Sequence, residues 1–164
     1  MKTNLKIMLV FSVFLASVGV LIAPANAQNS PVAMKITGGS TGNFISTPHS
    51  LNTTGYSDFA VNVKVRQDGT AEGQFVCAVS NAVVISGQVT NATVNADGSV
   101  TVTGLGYGYF VGGGGFENDS FFATFRPGGP HVGGFDFADA NFPTGFYDTE
   151  RVLHGSINFT HGGL

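Results

Sequence analysis

The chain is poor in charge and almost without sulfur chemistry. Charged residues make up 10% of the 164 positions, cysteine occurs once and tryptophan not at all. A single cysteine cannot close a disulfide within one chain, and it cannot build a thiolate zinc site. Cys77 stands in Phe75-Val76-Cys77-Ala78-Val79, where it reads as a small buried apolar residue. Basic residues are scarcer still. After residue 27 only Lys35, Lys64, Arg66, Arg126 and Arg151 remain, against ten acidic residues, a formal charge of −5. Scattered basic residues in an acidic chain give no footprint for nucleic acid and no patch for anionic lipid.

Several motifs are missing as well. The four histidines, His49, His131, His154 and His161, form neither H-E-x-x-H nor another close ligand pair. Helical periodicity is nearly absent after residue 28.

The N-terminus does carry a signal. Lys2 and Lys6 precede an uncharged, mostly apolar run from Ile7 to Ala23, and Ala25-Asn26-Ala27 follows. This is the pattern of a secretory signal peptide, residues 1–27, cleaved before Gln28. No cysteine lies near that site to take a lipid anchor. The expected product is secreted, to the periplasm or the medium, and has no membrane span once the signal is removed. The remaining 137 residues suit one domain and can bury enough surface to fold without disulfides. Residues 28–33 read as a short linker and 34–164 as a single all-β domain.

The fold class follows from short runs rich in Val, Thr and Phe, separated by Gly, Asn, Asp and Pro. Phe59, Val61, Val63 and Val65 alternate with polar or small residues, and Ala71, Phe75, Cys77 and Val79 form a second apolar row. A three-residue loop, Gln67-Asp68-Gly69, sets Val61 opposite Phe75, Phe59 opposite Cys77 and Lys64 opposite Glu72. A two-residue loop would oppose Val63 to Gln74 and mix the faces. The sequence therefore predicts a type I turn with Gly69 left-handed in a bulge. The same construction recurs at Ala96-Asp97-Gly98, pairing Val94 with Val100 and Ala92 with Val102. Further strands are expected at Val32–Thr37, Ala82–Ser86, Ser120–Arg126, His131–Phe137 and Arg151–Phe159. About eight or more antiparallel strands must hide their edges, so the expectation is a meander closed as a small barrel or β-sandwich.

The runs ITGGSTGNF, DFAVNVKVRQDGTAEGQF, ISGQVTNATVNADGSVTVTG and LHGSINF together resemble the post-COAP-like proteins, a group of exported bacterial β proteins. The resemblance covers roughly Met34 to Phe159 and implies an exported, all-β, bacterial protein with no assigned catalytic residue. It does not extend to Gly104–Phe116 or Phe142–Thr149, where a function particular to this chain would lie.

Gly104–Phe116, GLGYGYFVGGGGF, lacks the lysine and helix of a phosphate-binding loop. Gly104, Gly106 and Gly108 alternate with Leu105, Tyr107 and Tyr109. That predicts a strand with one bare face, open to close approach by a backbone or a ligand. Gly112–Gly115 reads as a mobile loop. Tyr107, Tyr109, Phe110 and Phe116 are the candidate binding residues, suited to a glycan, a small apolar ligand or a protein partner. The competing reading puts most of these rings in the core.

Asp136, Asp139 and Asn141 gather oxygen ligands that could hold calcium, but they also fit an Asx-rich turn. Asp148 and Glu150, two apart, could act as paired carboxylates in a barrel hydrolase, with His154 nearby. The N-x-S/T sites at Asn52, Asn91, Asn118 and Asn158 arise easily in so Asn- and Thr-rich a chain. No cofactor is expected. The leading expectation is a secreted, non-enzymatic binding or structural module. Its rivals are a small outer-membrane β-barrel, with the same period-two pattern, and the barrel hydrolase.

Overall fold

The structure is a computed structural model, and it describes residues 30–46, 55–79, 83–110, 113–139 and 146–162. The expected signal peptide lies outside these. Every regular element among the described residues is a strand. They are β1 (Val32–Ser46), β2 (Tyr56–Arg66), β3 (Thr70–Val79), β4 (Val83–Val94), β5 (Val100–Phe110), β6 (Gly115–Arg126), β7 (Gly134–Asp139), β8 (Phe146–Val152) and β9 (Ser156–His161).

Each of β2 to β7 pairs antiparallel with the next, and β1 closes the ring by pairing with both β2 and β8. The meander is thus an eight-stranded barrel, not a sandwich, with one added strand. β9 lies along Met34–Gly39 of β1, while β8 pairs with Gly42–Ser46 further along the same strand. β1 begins at Val32, inside the stretch read from sequence as a linker.

Both registers expected from the Asp-Gly turns are present. Val61 faces Phe75, Phe59 faces Cys77 and Lys64 faces Glu72 across β2 and β3. Val94 faces Val100 and Ala92 faces Val102 across β4 and β5. Gly69 N donates to Arg66 O at 3.1 Å and Gly98 N to Asn95 O at 3.0 Å. Both glycines have φ of +82°, the left-handed region that glycine enters without a Cβ clash. Asp68 accepts hydrogen bonds from Thr70 N and Oγ1, and Asp97 accepts them from Ser99 N and Oγ. These bonds hold both carboxyls below the usual carboxylate range. Glu72 is lowered too, by Arg66 first and Lys64 second, since both basic groups reach its Oε1. All of this lies on the surface, where such pairs add little stability.

The glycine run after β5 repeats the device. Gly113 N donates to Phe110 O, and Phe110 N to Gly114 O, both at 3.1 Å. The bond from Gly113 to Phe110 has the same spacing as those from Gly69 to Arg66 and from Gly98 to Asn95, while Gly112 of the run expected to be a mobile loop lies outside the described residues.

Two expected strands differ. The strand placed at His131–Phe137 begins only at Gly134. His131 adopts φ of +63° and donates its N–H to Val152 O, so the chain is still turning there. The strand placed at Arg151–Phe159 is broken at 153–155 into β8 and β9. Gly155, with φ of +79°, makes the break and sits against the Gly39 carbonyl, where a side chain would collide.

The interior is filled by phenylalanine. Phe75 packs against Phe125, Phe135 and Phe137 with ring centroids 5.3, 5.2 and 5.9 Å away. Phe59 meets Phe135 at 5.1 Å, and Phe121 stacks on Phe137 at 5.8 Å. An eight-stranded barrel is just wide enough for its own side chains. Burying one such ring stabilises the fold by about 1.5–3 kcal/mol, with a further ~0.5–1.5 kcal/mol for a well-set aromatic pair.

Candidate functional site

A packed interior directs attention to the outer wall, and β5 is where the wall is unusual. Along Val100–Phe110 buried and exposed positions alternate almost without fault. Val100, Val102, Gly104, Gly106 and Gly108 face inward, and Thr103, Leu105, Tyr107 and Tyr109 face outward. The bare face predicted from the glycines is therefore the inner face. What approaches it is the β4 backbone at Gln88, which leaves no room for a side chain at Gly104, and the ring of Phe121 from β6 beside Gly106. A Cβ at Gly87 on β4 would lie 2.5 Å from Phe121 Cζ, and one at Gly106 would lie 3.4 Å from Phe121 Cδ1. Gly87 and Gly106 are cross-strand partners, so together they form the hollow that the ring occupies.

The tyrosines go the other way. Tyr107 is 40% exposed and Tyr109 54% exposed, with ring centroids 5.7 Å apart at an interplanar angle of 64°. Of the two sequence readings, core or surface, both side chains take the surface. Their neighbours extend the patch. Val84 is the cross-strand partner of Tyr109, and Leu105 follows on the same outward row. Phe122 on β6 pairs with Thr103 and is diagonal to Leu105. All three of these apolar neighbours are exposed. Beside them Thr90, Thr103, Leu105, Ser120 and Phe122 line an open groove of about 350 Å³. On the same wall Ser86, across from Tyr107, is buried and accepts a hydrogen bond from Gln74 Nε2 at 2.9 Å. β4 and β6 hold β5 on both sides, so the rings stand on a rigid base.

The other candidates are placed as follows. Phe110 is partly buried against the core, and Phe116 belongs to β6 opposite Gly108, its side chain outside the described residues. Asp136 is buried on the outward side of β7 and accepts from Arg126 Nη2 at 2.6 Å. Asp139 ends β7, with its side chain outside the described residues, and Asn141 lies wholly outside them. Among the described residues no three His, Cys, Asp or Glu side chains gather as metal ligands. Asp148 pairs with Phe137 in the β7–β8 ladder, and its side chain also lies outside the described residues.

Glu150 is the surprise among the acids. It is 1% exposed and faces the barrel interior. Ser57 Oγ donates to its Oε2, and Cys77 Sγ donates to its Oε1 at 3.4 Å. The carboxylate reaches from β8 across β1 to β2 and β3, passing over Gly42, where any side chain would strike it. His154 is exposed in the turn after β8, on the other side of the wall from that carboxylate. Proximity in sequence does not join these two into one site.

Sequence reasoning missed Leu105 as a surface residue, together with Val84 and Phe122. A signal existed for the last two. Val83-Val84 and Phe121-Phe122 are adjacent apolar pairs within strands, and the pleat must send one member of each pair outward. No protein-family model, no curated protein and no solved structure matches the chain.

Proposed function

We propose that the chain is an exported, non-enzymatic binding module that holds a glycan against the outer wall of its barrel. The observation that carries this reading is the pair Tyr107 and Tyr109, exposed side by side on a doubly paired strand beside Leu105, Val84 and Phe122. Such rings offer apolar faces to sugar C–H groups and hydroxyls to their oxygens. A contiguous exposed apolar patch on an otherwise polar wall is the usual mark of a binding surface. A rigid strand loses little freedom when a ligand settles on it.

The polarity of the wall supports a water-facing barrel over a membrane-spanning one. Asp58, Lys64 and Glu72 point outward while phenylalanine fills the inside, the reverse of a lipid-facing barrel with a polar lumen. The sealed position of Glu150 supports binding over hydrolysis, because a substrate cannot reach a carboxylate enclosed by the core. Export rests on the signal peptide read in residues 1–27 and agrees with the resemblance to exported bacterial β proteins.

Affinity electrophoresis through gels containing neutral and acidic polysaccharides tests the reading. Wild-type protein is expected to be retarded in at least one gel. Tyr107→Ala/Tyr109→Ala should bind about tenfold or more weakly, as loss of central aromatic contacts does. Its thermal midpoint should stay close to wild type, because both rings are exposed. Equal retardation of wild type and variant, or no retardation of wild type in any gel, would refute it.

A further inference from the structure

Two of the five basic residues after residue 27 converge on one outward spot of the wall. Arg126 of β6 and Arg151 of β8 are both cross-strand partners of Gly134 on β7. Paired residues share a face, so the two guanidinium stems flank a position with no side chain of its own, their Cα atoms about 10 Å apart across two strand spacings. The result is a pocket of about 310 Å³ lined by Arg126, His131, Gly134, Asp136, Thr149 and Arg151. It is a built site. Buried Asp136 fixes the Arg126 guanidinium at 2.6 Å, and the His131 backbone is pinned to Val152 O at 2.8 Å. Arg151 is exposed, and no carboxylate pairs with it among the described residues.

The pocket also lies in line with the aromatic patch. Phe122 and Arg126 belong to the same outward row of β6, four residues or about 13 Å apart. A few linked sugar rings cover that span. The chain is acidic overall, so long-range attraction does not draw an anion here. The local arrangement does: of the two acidic residues at the pocket, Asp136 is already paired with Arg126, and Glu150 turns its carboxylate inward to Ser57 and Cys77, which leaves the Arg151 guanidinium facing the opening.

We propose that this pocket takes an anionic substituent of the bound glycan, a carboxylate or a sulfate, so that the ligand of the module is an acidic polysaccharide. The inference rests on the glycan reading above. Arg151 presents a planar fork to the anion, Arg126 is held in place by Asp136, and the missing side chain at Gly134 leaves room between them. The neutral backbone of the glycan crosses Phe122 and Leu105 toward the tyrosines.

The test compares polygalacturonate, its fully methyl-esterified form and dextran sulfate as gel-embedded probes, at two salt concentrations. Wild-type protein should bind at least one anionic polymer about tenfold more tightly than the neutral ester, with the excess falling as salt rises. Preference for polygalacturonate assigns the anion as carboxylate, and preference for dextran sulfate assigns it as sulfate. Arg151→Gln should erase the excess while leaving binding to the ester and the thermal midpoint unchanged. Arg151→Lys should restore only part of it. Tyr107→Ala/Tyr109→Ala should weaken anionic and neutral probes together. Retention of the full anionic preference by Arg151→Gln, or equal binding of all three probes by wild type, overturns the anionic pocket alone. Unchanged binding by the tyrosine variant overturns the glycan platform instead.

Discussion

Gly87→Ala is a one-methyl change with a calculable consequence. The new Cβ would lie 2.5 Å from Phe121 Cζ and 3.0 Å from its Cδ1. Real Cβ atoms do not approach that closely, so the ring must move. It is buried and stacked on Phe137, which leaves it little room. Overpacking of this kind costs about 1–3 kcal/mol. Replacing glycine by alanine also restricts the unfolded chain, which returns about 0.4–1 kcal/mol. The net expectation is a loss of about 1–2 kcal/mol, a fall of several degrees in thermal midpoint for a domain of this size. Gly106→Ala is the control, because its Cβ would lie 3.2 Å from Ser86 O and 3.4 Å from Phe121 Cδ1. A shift of a few tenths of an ångström accommodates that, so its effect should stay within about 0.5 kcal/mol. Urea melts of Gly87→Ala, Phe121→Leu and the double variant isolate the contact. The double variant should be more stable than the sum of the singles by at least about 0.5 kcal/mol. A Gly87→Ala protein as stable as wild type, or strictly additive singles, would show that the ring does not occupy the glycine hollow.

Gly69→Ala and Gly98→Ala should each cost about 1 kcal/mol in the same melts, a purely conformational loss. Nothing lies nearer than 3.7 Å to either new Cβ, so full tolerance of alanine would deny the left-handed bulge. Acid should also act through these turns. Asp68 and Asp97 have folded pKa values below their unfolded ones, so their contribution is complete above the ordinary carboxylate range. It is lost as pH falls through the depressed values. Thr70→Val/Ser99→Ala, which removes the donating hydroxyls, should therefore flatten the acid limb of a stability profile measured by urea melts below about pH 5. An identical acid limb in wild type and variant would remove these bonds as its cause.

Much of this was legible because hairpins are local. The faces of β2 to β5 follow from residues close in sequence, and at each Asp-Gly turn only one loop length keeps the apolar rows together. Exposure of Tyr107 and Tyr109 was half legible. The alternation put them on one face, but inside and outside are defined only by what covers the other face. That cover is Phe121, reached through the next hairpin. Glu150 was legible only as one of a carboxylate pair with Asp148, because a strand of mixed polarity gives no sign that one acid turns inward. Ser57 and Cys77, which satisfy it, lie 93 and 73 residues away.

The sequence by itself determined that this chain is a β meander, where its first hairpins turn and which residues share a face, since those depend on pleat, turn chemistry and loop length. Only the tertiary structure decided that the meander closes as a barrel, because closure depends on β1 meeting β2 along one side and β8 along the other. It also decided that the last strand breaks at Gly155, where the Gly39 backbone leaves no space, and that Arg126 and Arg151 meet across Gly134. Those are encounters between segments far apart in the chain, and periodicity within a strand carries no record of them.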